Sequence, residues 1–388
     1  MALLAVAAVS ARLLAESAAR DGYGVVALDL FGDADTRRAC AAWSAIGDAG
    51  SLQFDATRVC DALDDLARRG AEEAIGWIPG GGFEGRPDLL EAGANLLPLI
   101  GTQADAVRRV RDPAVFFGAL ASHGIEHPEV RTEAPADVEG WLTKDANGCG
   151  GWHIRHAAAA LDDASASARS LHNSARRSSH YYQRTMQGVP MSATFIANGK
   201  DALVLGINEL IVRPIGEHPH VYCGCIGPVE VPADLAQRIG DAVRVLVAEF
   251  DLRGWCSLDF VRDGDSFGVL EVNPRPPASM ALYAQRGLID AQLRACLHAE
   301  LPLPSAFATS QVAGSEIVYA RRPMTIDAAG AQHLQQWPMA HDLPAEGASF
   351  SAGDPLCSLS ASGESAGQVK ALLAASCDAL LDILETSP

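Results

Sequence analysis

Residues 254–277 read GWCSLDFVRDGDSFGVLEVNPRPP, and the rest of the chain is best read outward from them. Cys256, Leu258 and Phe260 alternate with Ser257, Asp259 and Val261. Asp263-Gly264-Asp265-Ser266 supplies turn chemistry, and a second apolar run extends from Phe267 to Val272. The pattern predicts a β-hairpin. Side chains alternate across a strand, so Glu271 and Asn273 share one face, and a turn centred near Asp265 brings Asp259 opposite Glu271 on that face. Two carboxylates so placed repel unless a cation lies between them, and Mg2+ held by carboxylates together with substrate phosphates suits this donor set. Arg275 adds a planar cation able to meet a phosphate or carboxylate through two parallel hydrogen bonds. On these residues alone an ordinary hairpin with a solvated polar face stands as the alternative.

The chain of 388 residues is long enough for two or three domains, each with its own core. Its hydrophobic fraction of 48% is that of a globular protein, and no run reaches the roughly 18 apolar residues of a membrane span. The apolar opening, Met1 to Val9, has no basic residue before it and leads into a helical pattern at Ser10-Ala11-Arg12, so it reads as a buried first strand rather than a signal segment. Nine scattered cysteines, an odd number with no C-x-x-C pair, fit reduced thiols in a cytoplasmic protein. His218, His220, Cys223 and Cys225 are dense enough to suggest zinc, but on one extended strand the even-numbered histidines and odd-numbered cysteines point to opposite faces. A net charge of −18 argues against nucleic acid or an anionic membrane as partner and leaves small anionic substrates open. Lysine occurs at positions 144, 200 and 370 and nowhere else.

Taken in order, Leu3–Val9, Gly24–Leu30, Ala74–Ile78 and Leu96–Ile100 read as strands. Ala11–Arg20, Thr36–Ala45 and Ala56–Arg69 read as helices, which together predict a small doubly wound parallel sheet. The loop Gly80-Gly81-Gly82-Phe83-Glu84-Gly85 follows a strand end, where such sheets bind ligands; its spacing fits neither nucleotide fingerprint, and Glu84 is a candidate to meet an amine. A helical stretch from Thr102 restarts at Pro113. After a short helical piece at Ala136–Trp141, Lys144 ends a strand before a loop carrying Gly148, Gly150 and Gly151, and such a loop can wrap phosphates with backbone N–H groups. A glycine turn beside a surface lysine is the plain alternative. Ala157–Ser179, rich in Ala, Ser and Arg, suggests a lid. Antiparallel strands follow from Tyr181 to Pro228, then a helix at Pro232–Phe250, the hairpin, a helix at Leu288–Glu300, short strands past Pro304 and a closing helix at Ala366–Leu384.

This order of parts resembles the ATP-grasp superfamily over about residues 75 to 300, most specifically in LEVNPRP at 270–276. The resemblance implies a mixed α/β and α+β fold: a Rossmann-like pre-ATP-grasp domain (1–105), a small ATP-grasp subdomain (106–180), a large subdomain with the metal site (181–304), and a C-terminal β-rich domain with its closing helix (305–388). It further implies that ATP and Mg2+ are bound, that a small-molecule carboxylate is activated as an acyl-phosphate, and that an amine attacks it. In this reading Lys144 contacts phosphate, Gly148, Gly150 and Gly151 cover it, and Gln183 and Arg184 meet adenine and ribose. Asp259, Glu271 and Asn273 hold Mg2+, and Arg275 steadies phosphate or the acyl intermediate. The assembly is expected to be soluble and a candidate homo-oligomer. Two departures stand out. The family's frequent second phosphate lysine near Asp112 is replaced by Pro113, leaving Arg108, Arg109 or Arg111 as substitutes, and no acidic residue follows the turn at Gly188. Ser10-Ala11-Arg12, the Leu28–Asp35 run, GGGFEGRPDLL and Gly353-Asp354-Pro355 are similar to a bacterial subgroup associated with tetrahydromethanopterin- and methanofuran-type one-carbon cofactor synthesis, where ligases add glutamate. A non-catalytic ATP-binding scaffold, a carboxylase and a kinase are the rival readings.

Overall fold

The computed structural model describes residues 2–68, 74–160, 179–283 and 286–386. Its strands are β1 (Leu3–Ala7), β2 (Gly24–Asp29), β3 (Ala42–Ala45), β4 (Gly47–Asp48), β5 (Gln53–Phe54), β6 (Ala74–Pro79), β7 (Val130–Arg131), β8 (Trp141–Asp145), β9 (Arg155–His156) and β10 (His180–Arg184). They continue as β11 (Val189–Asn198), β12 (Ala202–Ile215), β13 (His218–Gly227), β14 (Arg253–Asp263), β15 (Ser266–Asn273), β16 (Val312–Tyr319), β17 (Met324–Thr325), β18 (Ala340–His341), β19 (Ser349–Phe350) and β20 (Pro355–Gly363).

The N-terminal sheet is parallel in the order β3-β2-β1-β6, as βαβ alternation requires. Two segments differ from expectation. The stretch read as one helix over 36–45 is a helix at Ala34–Ala39 followed by strand β3, because Trp43 is drawn into the sheet edge and donates its indole N–H to Asp29 at 2.7 Å. The expected strand at 96–100 shrinks to a single bridge between Trp77 and Leu99, since Pro98 has no N–H to give a ladder. The piece expected to be helical at 136–141 is a turn closed by Trp141 N–H to the Val138 carbonyl. Most of the expected lid, residues 161–178, lies outside the described residues.

Two larger antiparallel sheets follow, beside the two-stranded antiparallel pairs β4-β5 and β17-β19. The small one runs β7-β10-β8-β9. The large one has eight strands, β15-β14-β11-β12-β13-β16-β20-β18. Both domain borders therefore move. The border expected at 180/181 would cut β10, which pairs residue for residue with β8 from His180↔Asp145 to Arg184↔Trp141 and so belongs to the small subdomain. Nor do residues 305–388 stand apart: β17 and β19 pair with each other, but β16 pairs with β13 and carries β20 and β18 into the large sheet.

Helix Ala233–Phe250 lies under the large sheet because Leu235, Ile239, Val243, Leu246, Val247 and Phe250 recur at helical spacing and are fully buried against Phe195, Leu258, Phe260 and Val269. A second core joins the N-terminal sheet to the large one: Leu4, Val6, Ile78 and Ile100 pack with Ile196, Trp255, Leu288 and Ile289. Polar clasps hold this seam. Gln292 accepts from Trp255 N–H at 2.7 Å and donates to the Ile100 carbonyl at 2.9 Å. Among the described residues no helix is long and apolar enough to cross a membrane.

Candidate functional site

The hairpin turns between β14 and β15, and its register sets Asp259 opposite Glu271. Simple alternation would place Val269 on the same face as Glu271. A bulge separates them: Asp259 pairs with Glu271 and Phe260 with Val269, so Leu270 is the extra residue, Val269 stays in the core and Glu271 is re-aimed toward Asp259. Asp259 accepts from Asn273 Nδ2 at 3.0 Å and from Ser257 Oγ at 3.3 Å. Burial, followed by the charge of Glu271, pushes the Asp259 carboxyl up toward neutrality. Burial also pushes Glu271 upward, but Lys144, Arg111, His153 and Arg275 together overcome it and keep Glu271 ionised. Asn273 presents its amide nitrogen to Asp259 and its oxygen to Arg275 at 3.3 Å, so a third oxygen turned toward the carboxylates requires the amide to flip.

Cations face Glu271 from the small subdomain. Lys144, buried on β8, donates to Gln183 Oε1 at 3.3 Å. Burial pulls its pKa down, but Tyr181 and Glu271 outweigh that and leave it raised, so the ammonium stays charged. A second cation is present as well. Arg111 Nη1 lies 3.4 Å from Glu271 Oε2, while Nε and Nη2 donate to the Ala146 and Gly148 carbonyls at 2.9 and 2.7 Å. Of the three arginines offered as substitutes, Arg108 pairs with Glu91 and Asp105 at the surface and Arg109 with Glu249. Helical spacing does not choose among them, because Arg111 falls four residues after buried Val107 and Arg109 three after buried Ala106.

The Gly148–Gly151 loop lies against the site. Gly150 accepts from Tyr222 N–H at 3.0 Å, and Gly151, at φ +80°, sits where an added Cβ would be 1.8 Å from the His220 carbonyl oxygen. A Cβ on Gly148 would meet the His153 ring at 2.1 Å. Both positions need glycine for closeness, and Gly151 also for its backbone angle. Gln183 and Arg184, expected to serve one nucleotide together, occupy opposite faces of β10. Gln183 is buried beside Lys144, with its Nε2 buried and without a partner among the described residues, while exposed Arg184 lies over the Trp141 ring.

His153 is half-buried in the field of Lys144, Arg111 and Glu271, and desolvation pushes its pKa down to about 4. A histidine depressed in the fold contributes stability that is complete above its unfolded pKa near 6.5 and is lost as pH falls toward the folded value. At pH 5.5 the docked loop should be weaker by about 1.4 kcal/mol, roughly tenfold in its opening equilibrium. Hydrogen exchange of amides 147–153, corrected for intrinsic rates, should show that loss of protection between pH 7.5 and 5.5, and His153→Gln should abolish the difference. Equal pH dependence in both proteins would contradict the assignment.

Arg275 reaches the N-terminal sheet. Its Nε donates to Glu84 Oε1 at 3.0 Å, and the Glu84 side chain is 0% exposed. Glu84, expected as an amine receptor, is therefore engaged within the protein. The His/Cys cluster does not assemble. Tyr222 pairs with Val212 and Gly224 with Ile211, which makes Cys223 a bulged residue. Cys223 consequently packs with Val221 and Cys225 with Tyr283, so the two thiols fall into different cores rather than on the one face that strict alternation gave them. Glu16, Asp35 and His341 do bring ligand atoms within 4.8 Å of one another, but Arg12 lies 3.1 Å from Glu16 and 3.9 Å from Asp35 and supplies cationic charge there itself.

Residues 111–279 match the ATP-grasp domain family. The large chain of carbamoyl phosphate synthase from Thermus thermophilus is 27% identical over 201 residues, a match covering 48% of this chain and 19% of that one, so the chain spans about a fifth of that relative's length. Among solved structures, an L-amino acid ligase from Bacillus licheniformis superimposes with a TM-score of 0.71 at 15% identity, covering 97% of each chain. The biotin carboxylase domain of the Hydrogenobacter thermophilus 2-oxoglutarate carboxylase, solved with MgADP and bicarbonate, gives a TM-score of 0.74 at 13% identity, covering 99% of this chain and 94% of that one.

Proposed function

We propose that this chain is an ATP- and Mg2+-dependent ligase of the ATP-grasp type, joining a small-molecule carboxylate to an amine, a reading supported by the match of residues 111–279 to the ATP-grasp domain family. The observation that carries the reading is the Asp259–Glu271 pair of the large sheet facing Lys144 of the small sheet and Arg111 at the end of helix Ala104–Arg111, two acids and two cations brought together from three elements. The donor set fits magnesium. Its hard carboxylate oxygens come from residues paired across the hairpin, and burial together with the Glu271 charge raises the Asp259 pKa, a repulsion that a divalent cation would relieve. In this reading Asp259 and Glu271 would hold Mg2+, which would supply neutralisation of phosphate charge, and Asn273 would steady Asp259 through its amide nitrogen. Lys144 and Arg111 draw the terminal phosphates into line, Arg111 standing where the family's second lysine is missing. The backbone N–H groups of Gly148, Gly150 and Gly151 close over them. The orphaned Gln183 Nε2 offers a donor to the nucleotide base.

A carboxylate oxygen of the acid attacks the terminal phosphorus, ADP departs, and Arg275 steadies the resulting acyl-phosphate. The amine then attacks the acyl carbon and releases phosphate. No protein nucleophile is required. Glutamate addition during one-carbon cofactor synthesis is the narrower version of the same proposal, supported by the N-terminal and GGGFEG motifs.

Phosphate release with glutamate and a panel of amines tests the reading. Tight ATP binding without turnover on any acid–amine pair would favour the scaffold alternative. Bicarbonate-dependent turnover would favour a carboxylase, as the carboxylase neighbour's bound ligands suggest.

A further inference from the structure

Building on the ligase reading, we infer that Glu84 is a positioning residue, which fixes the guanidinium of Arg275 and, through Asn273, ties the glycine-rich loop of the N-terminal sheet to the carboxylate pair. The local chain explains how it gets there. Phe83, 1% exposed, stacks on Phe54 with ring centroids 4.4 Å apart and anchors the single turn Phe83–Gly85 after β6. Gly82 takes φ +100° at a point where a Cβ would lie 2.7 Å from Val9 and 2.9 Å from Phe54, so the loop can bend tightly enough to turn Glu84 inward. Glu84 Oε2 then accepts from Gly82 N–H at 2.6 Å, and Oε1 faces Arg275.

Every nitrogen of the Arg275 side chain has a partner. Nε meets Glu84, Nη1 the Pro276 carbonyl at 3.4 Å, and Nη2 the Asn273 oxygen at 3.3 Å. Asn273 in turn donates to Asp259 at 3.0 Å and to Ser257 at 3.3 Å. The guanidinium therefore stands between two carboxylates, paired directly with Glu84 and reaching Asp259 only across an amide. This division matters for charge. With Glu84 neutralised, Asp259 becomes the carboxylate left for Arg275 to approach, and an arginine paired to Asp259 would take the position that a divalent cation needs.

Calorimetric titration of ADP at graded Mg2+ on the full chain tests this in wild type, Glu84→Gln, Arg275→Gln and the double variant. Glu84→Gln should raise the Mg2+ concentration for half-effect about tenfold, leave metal-free ADP affinity within about twofold, and add nothing once Arg275 is already replaced. A merely structural role would lower both affinities and act additively with Arg275→Gln, which would overturn the inference. A ligand-free readout runs beside it: phenylglyoxal labelling of Arg275, mapped by mass spectrometry, should be about fivefold faster or more in Glu84→Gln, since a desolvated pair shields its members. Equal labelling rates would overturn the inference too. Nucleotide binding indifferent to Mg2+ in the wild type would remove the ligase reading instead, and labelling then decides the role of Glu84 by itself. Should Glu84→Gln fail to fold, Glu84→Asp, which keeps the charge but shortens the reach, gives the same labelling comparison.

Discussion

Glu271→Gln is expected to lower turnover more than about a hundredfold, on the order of 3 kcal/mol of transition-state stabilisation, and Lys144→Ala to do the same. The substitution is nearly isosteric and removes one charge from a cluster in which that charge has several partners at once. Glu271 sits opposite Asp259, 3.4 Å from Arg111, and within the field of Lys144. A neutral amide at this position leaves two cations without their carboxylate and a metal with one fewer anionic ligand. Both losses fall on the step in which phosphate charge develops. Lys144→Ala removes the opposing ammonium and frees Gln183 Oε1 from its bond. Phosphate release under saturating substrates measures both variants, with melting temperature recorded beside it. Rates unchanged in both would remove the assignment of the site to this cleft.

Trp255→Ala should cost about 3–5 kcal/mol of stability, the range for emptying a large aromatic from a well-packed interior. Trp255 is 0% exposed in the core shared by the N-terminal and large sheets, with Ile196, Leu288, Ile289 and Ile100 around it. Its indole N–H donates to the Leu288 carbonyl at 2.8 Å, so the substitution also strands a buried acceptor. Urea denaturation followed by fluorescence and circular dichroism should show the midpoint falling with little change in slope. Trp255→Phe, which fills most of the volume but cannot donate, should cost less. A loss below about 1 kcal/mol for Trp255→Ala would mean that the seam is not the packed joint described here.

The parts of this fold legible in the sequence were those written in local periodicity. The hairpin of 254–277 declared itself through alternation and the Asp-Gly turn, and Asp259 does lie opposite Glu271. Helix 233–250 declared itself through its apolar face. What periodicity could not carry was non-local. Strand β3 forms from Ala42–Ala45 because Trp43 finds Asp29 across the sheet, overriding a helical composition. The bulges at Leu270 and Cys223 each insert one residue, and one residue is enough to exchange faces for everything beyond it. The cluster proposed here as the site was visible in the sequence only in part. Lys144 and the carboxylates stood out by residue type, whereas Arg111 was one arginine among 27, and only folding turns it inward while its neighbours at 108 and 109 stay at the surface.

The C-terminal strands continue the very sheet whose other edge carries Asp259 and Glu271. Hydrogen bonding between β16 and the Gly224–Gly227 end of β13 means that residues past 304 cannot be clipped away without baring a ladder of backbone groups in the middle of the molecule. The tail and the floor of the cleft are therefore bound to melt as one cooperative unit. A truncation after residue 304 should therefore leave an open sheet edge along β13, a template for aggregation.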